Sequence, residues 1–213
     1  MNLLIFDLDD TIFETRSIGQ HHVAPILDKF KITAERFYRP DKIELIISDL
    51  WQFPFDFVAK KYQFDDLLNE QFSTSINELE YELDIQTFND FHHVENIVAR
   101  KILVTTGFKK LQRAKIKALG IEQEFESIFF DEVNKQNRKH KKGIFTAILQ
   151  SSNVKPENIF AIGDNPTSEL KAGRELGIKT VQVAKFGQVR SEHSDYRITD
   201  FQELLPIVSN KKQ

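Results

Sequence analysis

Five short apolar runs, each followed by a stretch with helical spacing, constrain this chain more than any other feature. Leu3 to Phe6 (LLIF) is unbroken and ends in acids, as a strand buried on both faces does. The pattern returns at Lys101 to Thr105 (KILVT), Ser127 to Phe130 (SIFF), Asn158 to Ile162 (NIFAI) and Lys179 to Val183 (KTVQV). After the second run, Phe108, Leu111, Ile116 and Leu119 recur near helical intervals, and Gly120 follows as a C-cap. Ile144 to Leu149 fills the next gap; Glu169 to Leu176, opened by Pro166 and closed by Gly177, fills the last. Strands alternating with helices predict an α/β chain with a parallel sheet covered by helices. Ligands of such sheets bind outside the carboxyl ends of the strands, so chemistry is to be sought just after each run.

The stretch from Glu14 to about Ala99 reads differently. It has no alternating strand pattern, and Ile43, Ile46, Ile47, Leu50 and Trp51 recur at steps of three and four. Leu67, Leu68 and Phe72 do the same, followed by Ile76, Leu79 and Leu83. These segments predict several helices broken near Pro25, Pro40 and Pro54, forming an all-helical insertion over 14–99 between the first two strands. Residues 1–13 and 100–208 are then a discontinuous core, and 209–213 a frayed tail. Glycine follows the same division: of 8 in the chain, none lies between His22 and Thr106. So does charge. Residues 14–100 hold 16 acidic and 9 basic side chains, whereas the flanks hold 16 and 20, within a total of −3. Two solvated surfaces of different sign explain this, as does an anionic ligand held by the flanks.

With 40% hydrophobic residues in 213, the chain can bury a core, and its near-balanced charge excludes a disordered chain or a dedicated nucleic acid polymer binder. The absence of Cys removes disulfides, thiolate metal sites and a cysteine nucleophile. The apolar start is only four residues long, and no stretch approaches the ~20 apolar residues that span a bilayer. The expectation is a cytoplasmic protein without a membrane partner, a monomer or weak dimer.

Four constellations carry chemistry. Asp7-Leu8-Asp9-Asp10-Thr11 follows the first run; two carboxylates two residues apart at a strand end point into one crevice and repel unless a cation neutralises them. A polar turn rich in N-capping residues has the same composition. Thr105-Thr106-Gly107 ends the second run and offers a hydroxyl and free N–H groups to a phosphate, although Thr there also serves as a cap. The basic run Arg138-Lys139-His140-Lys141-Lys142 precedes the next helix; it reads as a solvated loop in which at most one lysine matters. Ile162-Gly163-Asp164-Asn165 ends the fourth run, with Glu169 five residues beyond Asp164. Hard oxygen donors without soft ones suit Mg²⁺ rather than Zn²⁺.

Taken in chain order, a DxDxT, a Thr, a Lys and an Asp at four strand ends resemble the haloacid dehalogenase superfamily. LLIFDLDDT, ILVTTG, a lysine near 141 and FAIGDNPTSE correspond to its four motifs, and the insertion is similar to its C1-type cap. The resemblance implies a Rossmann-like core. It implies Asp7 as a nucleophile that becomes an aspartyl-phosphate, and Asp9 as general acid and then base. Thr105 and Lys141 would hold the phosphoryl oxygens, and Mg²⁺ would sit between Asp7, the backbone carbonyl of Asp9 and Asp164. Thr11, Thr106 and Gly107 would complete the substrate site. Two points stay open: Glu169 stands where the family often has Asp, and Lys139 or Lys142 compete with Lys141 for the lysine role.

An acid at position 9 argues against dehalogenation, and Asp10, where the family's mutases tend to have Gly, favours hydrolysis over a sugar phosphomutase. The implied function is a Mg²⁺-dependent phosphatase of a small phosphorylated metabolite such as a nucleotide or a sugar phosphate. A catalytically inactive binding module of the same fold is the other alternative. A receiver domain would place its phosphoacceptor on a central strand without the insertion, and no GxxxxGK[ST] supports a P-loop enzyme. Within the insertion, Arg16, Arg39 and Lys42 are surface charges or partners of a distal anion. Trp51, Phe53, Phe55 and Phe57 are core packing or a pocket wall.

Overall fold

The computed structural model describes residues 1–135 and 137–209; of the expected tail, 210–213 lie outside the described residues. Six strands, β1 (Leu3–Phe6), β2 (Arg100–Gly107), β3 (Ser127–Glu132), β4 (Ile159–Gly163), β5 (Lys179–Val183) and β6 (Tyr196–Ile198), form one sheet in the order β3-β2-β1-β4-β5-β6. Every pairing is parallel. The fold is therefore the expected α/β parallel sheet. β6, three residues with two of them exposed, carries no apolar run and was not anticipated.

Nine α-helices complete the described chain: α1 (Gln20–Ala34), α2 (Pro40–Leu50), α3 (Phe55–Tyr62), α4 (Asp66–Glu78), α5 (His92–Glu95), α6 (Lys109–Leu119), α7 (His140–Ser152), α8 (Glu169–Glu175) and α9 (Leu204–Ser209). Among the described residues no helix is long and apolar enough to cross a membrane. The double burial of the central strands is visible residue by residue. Leu4, Phe6, Leu103, Phe160 and Ile162 face one apolar cluster, with Ile116 of α6, Val94 of α5 and Phe201. Leu3, Ile5, Ile102, Val104 and Ala161 face the other, with Phe145 and Ile148 of α7. Alternation of Cβ direction explains why an unbroken apolar run is required: each of these larger side chains gains about 1.5–3 kcal/mol only if both faces are covered.

The insertion has its own cluster, built from Ile26 and Phe30 of α1, Ile43 and Ile46 of α2, Val58 of α3, and Leu68 and Phe72 of α4. Phe55 and Phe72 stack at 4.7 Å with planes 4° apart. Phe108 and Val133, from the sheet side, join this cluster, so the two parts share an apolar joint. Local signals set the helix ends: Asp65 caps α4 by accepting from the Leu68 N–H at 2.9 Å, and Pro40 opens α2. Two expectations are corrected. Pro25 lies inside α1 without breaking it; in its second turn only one backbone donor is lost. Leu79 and Leu83 do not continue a helix: α4 ends at Glu78 and the chain then runs without helix to Asp90. Ile85, Phe91, Val94 and Ile97 pack with the sheet cluster rather than with the insertion.

Candidate functional site

β1 lies between β2 and β4, where the winding of the sheet reverses, and Phe6 is level with Leu103 and Ile162. Asp7 thus emerges at the topological switch point, its N–H donating to the Ile162 carbonyl at 2.9 Å. The end of β4 delivers Asp164 beside it, and α8 brings Glu169 back over the same end. Oxygens of Asp7, Asp164 and Glu169 lie within 4.8 Å of one another.

Lys141, in the first turn of α7, is buried against this group. Its Nζ is 2.6 Å from Asp7 Oδ1 and donates to Glu169 Oε2 at 2.7 Å. Of the three competing lysines it alone reaches the acids: Lys139 is exposed, and Lys142 pairs with Glu175 at 2.7 Å on the surface. Glu169 also accepts from the Asn165 N–H at 2.6 Å. It can lie there because residue 163 is glycine; a Cβ at that position would stand 2.4 Å from Glu169 Oε1.

Burial pushes the Asp7 carboxyl up to about 7, against the attraction of Lys141, with Glu169 adding repulsion. Burial and the charges of Glu169 and Asp7 push Asp164 up to about 9. Burial alone would lower Lys141, but Asp7 and Glu169 reverse this and hold it above the usual lysine range. Lys141 therefore does not neutralise the group by itself. Buried carboxyls with raised affinity for protons, arranged as close hard oxygen donors, have the chemistry of a divalent cation site for Mg²⁺.

The other expected residues are placed less directly. The Asp9 carboxylate accepts from Lys115 Nζ at 2.6 Å, Gln112 Nε2 at 2.7 Å and the Thr15 hydroxyl at 3.4 Å; its carbonyl, not its carboxylate, was the expected metal ligand. Thr11 is fully buried and donates to Asp164 Oδ1 at 3.3 Å, so it orients an acid rather than lining a substrate space. Thr105 is also fully buried, its hydroxyl covered by the Gln112 amide. Thr106 and Gly107 line the cavity; the Thr106 hydroxyl donates to Asp131 at 3.1 Å. Asp10, at φ 54°, makes the turn after β1 and accepts from the Thr15 N–H at 2.8 Å.

Gln112 and Lys115 were not singled out from the sequence, though a signal existed. Positions 108, 112, 115 and 119 form one inward stripe of α6, and two polar residues on a stripe begun by Phe and ended by Leu call for buried partners. Arg138 was noted only as part of a basic run. It forms a bidentate pair with Asp131, both contacts 2.7 Å, and also bonds Asp56 of α3. A cavity of about 250 Å³ opens above the acids, between the sheet end and the insertion.

Comparison with known proteins agrees with this geometry. The family model described as "Hydrolase: haloacid dehalogenase-like hydrolase" matches residues 1–177. Glyceraldehyde 3-phosphate phosphatase of Pyrococcus furiosus is 29% identical over 114 residues, 51% of this chain and 47% of the relative. The enzyme of the same name from Methanocaldococcus jannaschii is 31% identical over 115 residues, 52% and 50%. The matches thus span about half the length of these curated relatives. The HAD-hydrolase YfnB of Bacillus subtilis, in a magnesium-bound crystal structure, superposes with a TM-score of 0.65 at 21% identity, covering 98% of this chain and 99% of that one, which shows the shared fold. With its motifs gathered at one sheet end and the family model spanning most of its length, the chain belongs to the haloacid dehalogenase-like hydrolases.

Proposed function

We propose that the protein is a Mg²⁺-dependent phosphatase acting on a small phosphomonoester, with Asp7 as nucleophile. The observation that carries this reading is the quartet in which buried Lys141 contacts both buried Asp7 and buried Glu169 while half-buried Asp164 completes the acid cluster. Asp7, Asp164 and the Asp9 carbonyl would hold Mg²⁺, with Glu169 beside them; bound there, the cation offsets the repulsion between an anionic nucleophile and an anionic ester. Asp7 attacks phosphorus, the ester oxygen leaves as the alcohol with a proton from Asp9, and Asp9 then takes a proton from the water that cleaves the aspartyl-phosphate. Lys141 neutralises phosphoryl oxygens, and the N–H groups at the end of β2, near Thr106 and Gly107, face them. The role assigned to Thr105 requires Gln112 to release its hydroxyl. The helical insertion, taken as a cap over 14–99, covers the site and selects the leaving group. The names of the curated relatives, both phosphatases of a small phosphate ester, support this reading.

The test is phosphate release from an aryl phosphate with Mg²⁺. Wild type is expected to turn over, whereas Asp7→Asn loses activity and keeps its circular dichroism spectrum. Equal release by both proteins would remove Asp7 as nucleophile.

A further inference from the structure

The cavity above the acids has two unlike halves. Its floor carries Asp7, Asp9, Asp10, Asp164 and Glu169 against Lys115 and Lys141, a formal −3. Both lysines are already engaged, Lys115 with Asp9 and Lys141 with Asp7 and Glu169. Its walls and roof are apolar: Ile26, Leu50, Trp51, Phe55, Phe72 and Leu111 are representative. Among the described residues, the insertion contributes no charged side chain to the lining; Thr15 and Gln52 are the uncharged polar residues it places there. Arg16, Arg39 and Lys42, the candidates for a distal anion, do not line it; Arg39 pairs with Asp41 at 3.6 Å on the surface and Lys42 lies over Tyr38. Trp51, Phe53 and Phe55 do line it, which makes part of that aromatic cluster a pocket wall rather than core packing alone.

A divalent cation would leave the floor at a formal −1, so that cation and Lys141 can face one phosphoryl group and no cationic group is left for a second. A second phosphate or a carboxylate on the substrate would have to lose its water against hydrocarbon walls without a partner. A polyhydroxylated remainder would leave hydroxyls unpaired there, Thr15 and Gln52 being the polar groups on that side. Apolar carbon, in contrast, gains from the burial. At about 250 Å³ the space suits a compact group.

We propose that the substrate is the phosphate monoester of an uncharged, apolar alcohol of small size, and that the walls of the insertion discriminate against bisphosphates, phosphorylated carboxylates and sugar phosphates. This rests on the phosphatase reading and narrows its substrate class.

The test is steady-state kinetics of the full chain with Mg²⁺ on unbranched alkyl phosphates from methyl to hexyl, beside glycerol 3-phosphate, 3-phosphoglycerate and fructose 1,6-bisphosphate. Alkyl esters keep the leaving group chemically similar along the series, so differences report binding. kcat/KM should rise about three- to fourfold per methylene until the cavity is filled. Hexyl phosphate should exceed glycerol 3-phosphate by at least ~30-fold and the bisphosphate by at least ~100-fold. Trp51→Ala, at a partly exposed position, should reduce the hexyl-to-methyl ratio severalfold. A flat alkyl series, or preference for glycerol 3-phosphate or the bisphosphate, overturns the inference and leaves the phosphatase intact. Release from none of these esters, nor from an aryl phosphate, overturns the phosphatase reading and this inference with it.

Discussion

Asp9 shows how much a single side chain depends on its neighbours. As the general acid proposed above, it must be held toward the leaving oxygen, and its carboxylate accepts from Lys115 at 2.6 Å and Gln112 at 2.7 Å, both from the inward face of α6. Lys115 is itself buried, its ammonium having Asp9 as its ion-pair partner. Replacing it by methionine keeps the stem and removes the charge, leaving Asp9 with Gln112 and the longer contact from the Thr15 hydroxyl at 3.4 Å. General acid–base catalysis is worth about 10²–10⁴, and partial loss of positioning should cost about 10- to 100-fold in kcat/KM. The loss should be larger for an alkyl than for an aryl phosphate, because a phenolate leaves with less help from a proton. Measuring Lys115→Met on both esters checks this; equal losses would assign Lys115 a structural role only.

Among the elements, the segment entering α7 does two jobs. Lys141 serves the acids, while Arg138, three residues earlier, ties Asp131 at the end of β3 to Asp56 of α3. Asp131 is 3% exposed, so Arg138→Met leaves a buried carboxylate with the Thr106 hydroxyl as its remaining partner. Breaking a buried pair from one side costs about 3–5 kcal/mol, which in a chain of this size corresponds to a fall in Tm of roughly 6–20 °C. Calorimetry of the variant measures it; a change below ~2 °C would show that the pair adds little to joining insertion and sheet. The sequence made one part of this segment legible and not the other. Lys141 followed from a known order of motifs, whereas a pair spanning 82 residues, Arg138 to Asp56, has no local signature. The strands were readable because burial on both faces demands unbroken apolar runs. β6 was not, since an edge strand of three residues needs no such run. Leu79 and Leu83 misled because their spacing fits a helix even where the chain, past Glu78, runs without helix and Ile85 joins the sheet cluster.

At the scale of the molecule, the acid cluster is both the likeness to the family and a load on the fold. Asp7, Asp164 and Glu169 are brought together at the switch point with Lys141 as the cation among them, and burial raises two of these carboxyls well above their ordinary range. A cation that binds this arrangement has no equivalent site in the unfolded chain, where the three residues are separated by as much as 162 positions. Its binding must therefore stabilise the fold, by about 2.7 kcal/mol at a concentration 100 times Kd. For a chain of this length that amounts to a rise in Tm of roughly 5–10 °C. The measurement is thermal unfolding in MgCl₂ against NaCl of equal ionic strength, which separates a bound ion from general screening. Asp164→Asn removes one oxygen charge and one like-charge repulsion, so it should abolish the Mg²⁺ response while leaving the metal-free protein at least as stable as wild type. An undiminished response in that variant would show that the cation stabilises the chain elsewhere, and the acids at the end of β1 and β4 would then have to be held by Lys141 and protons alone.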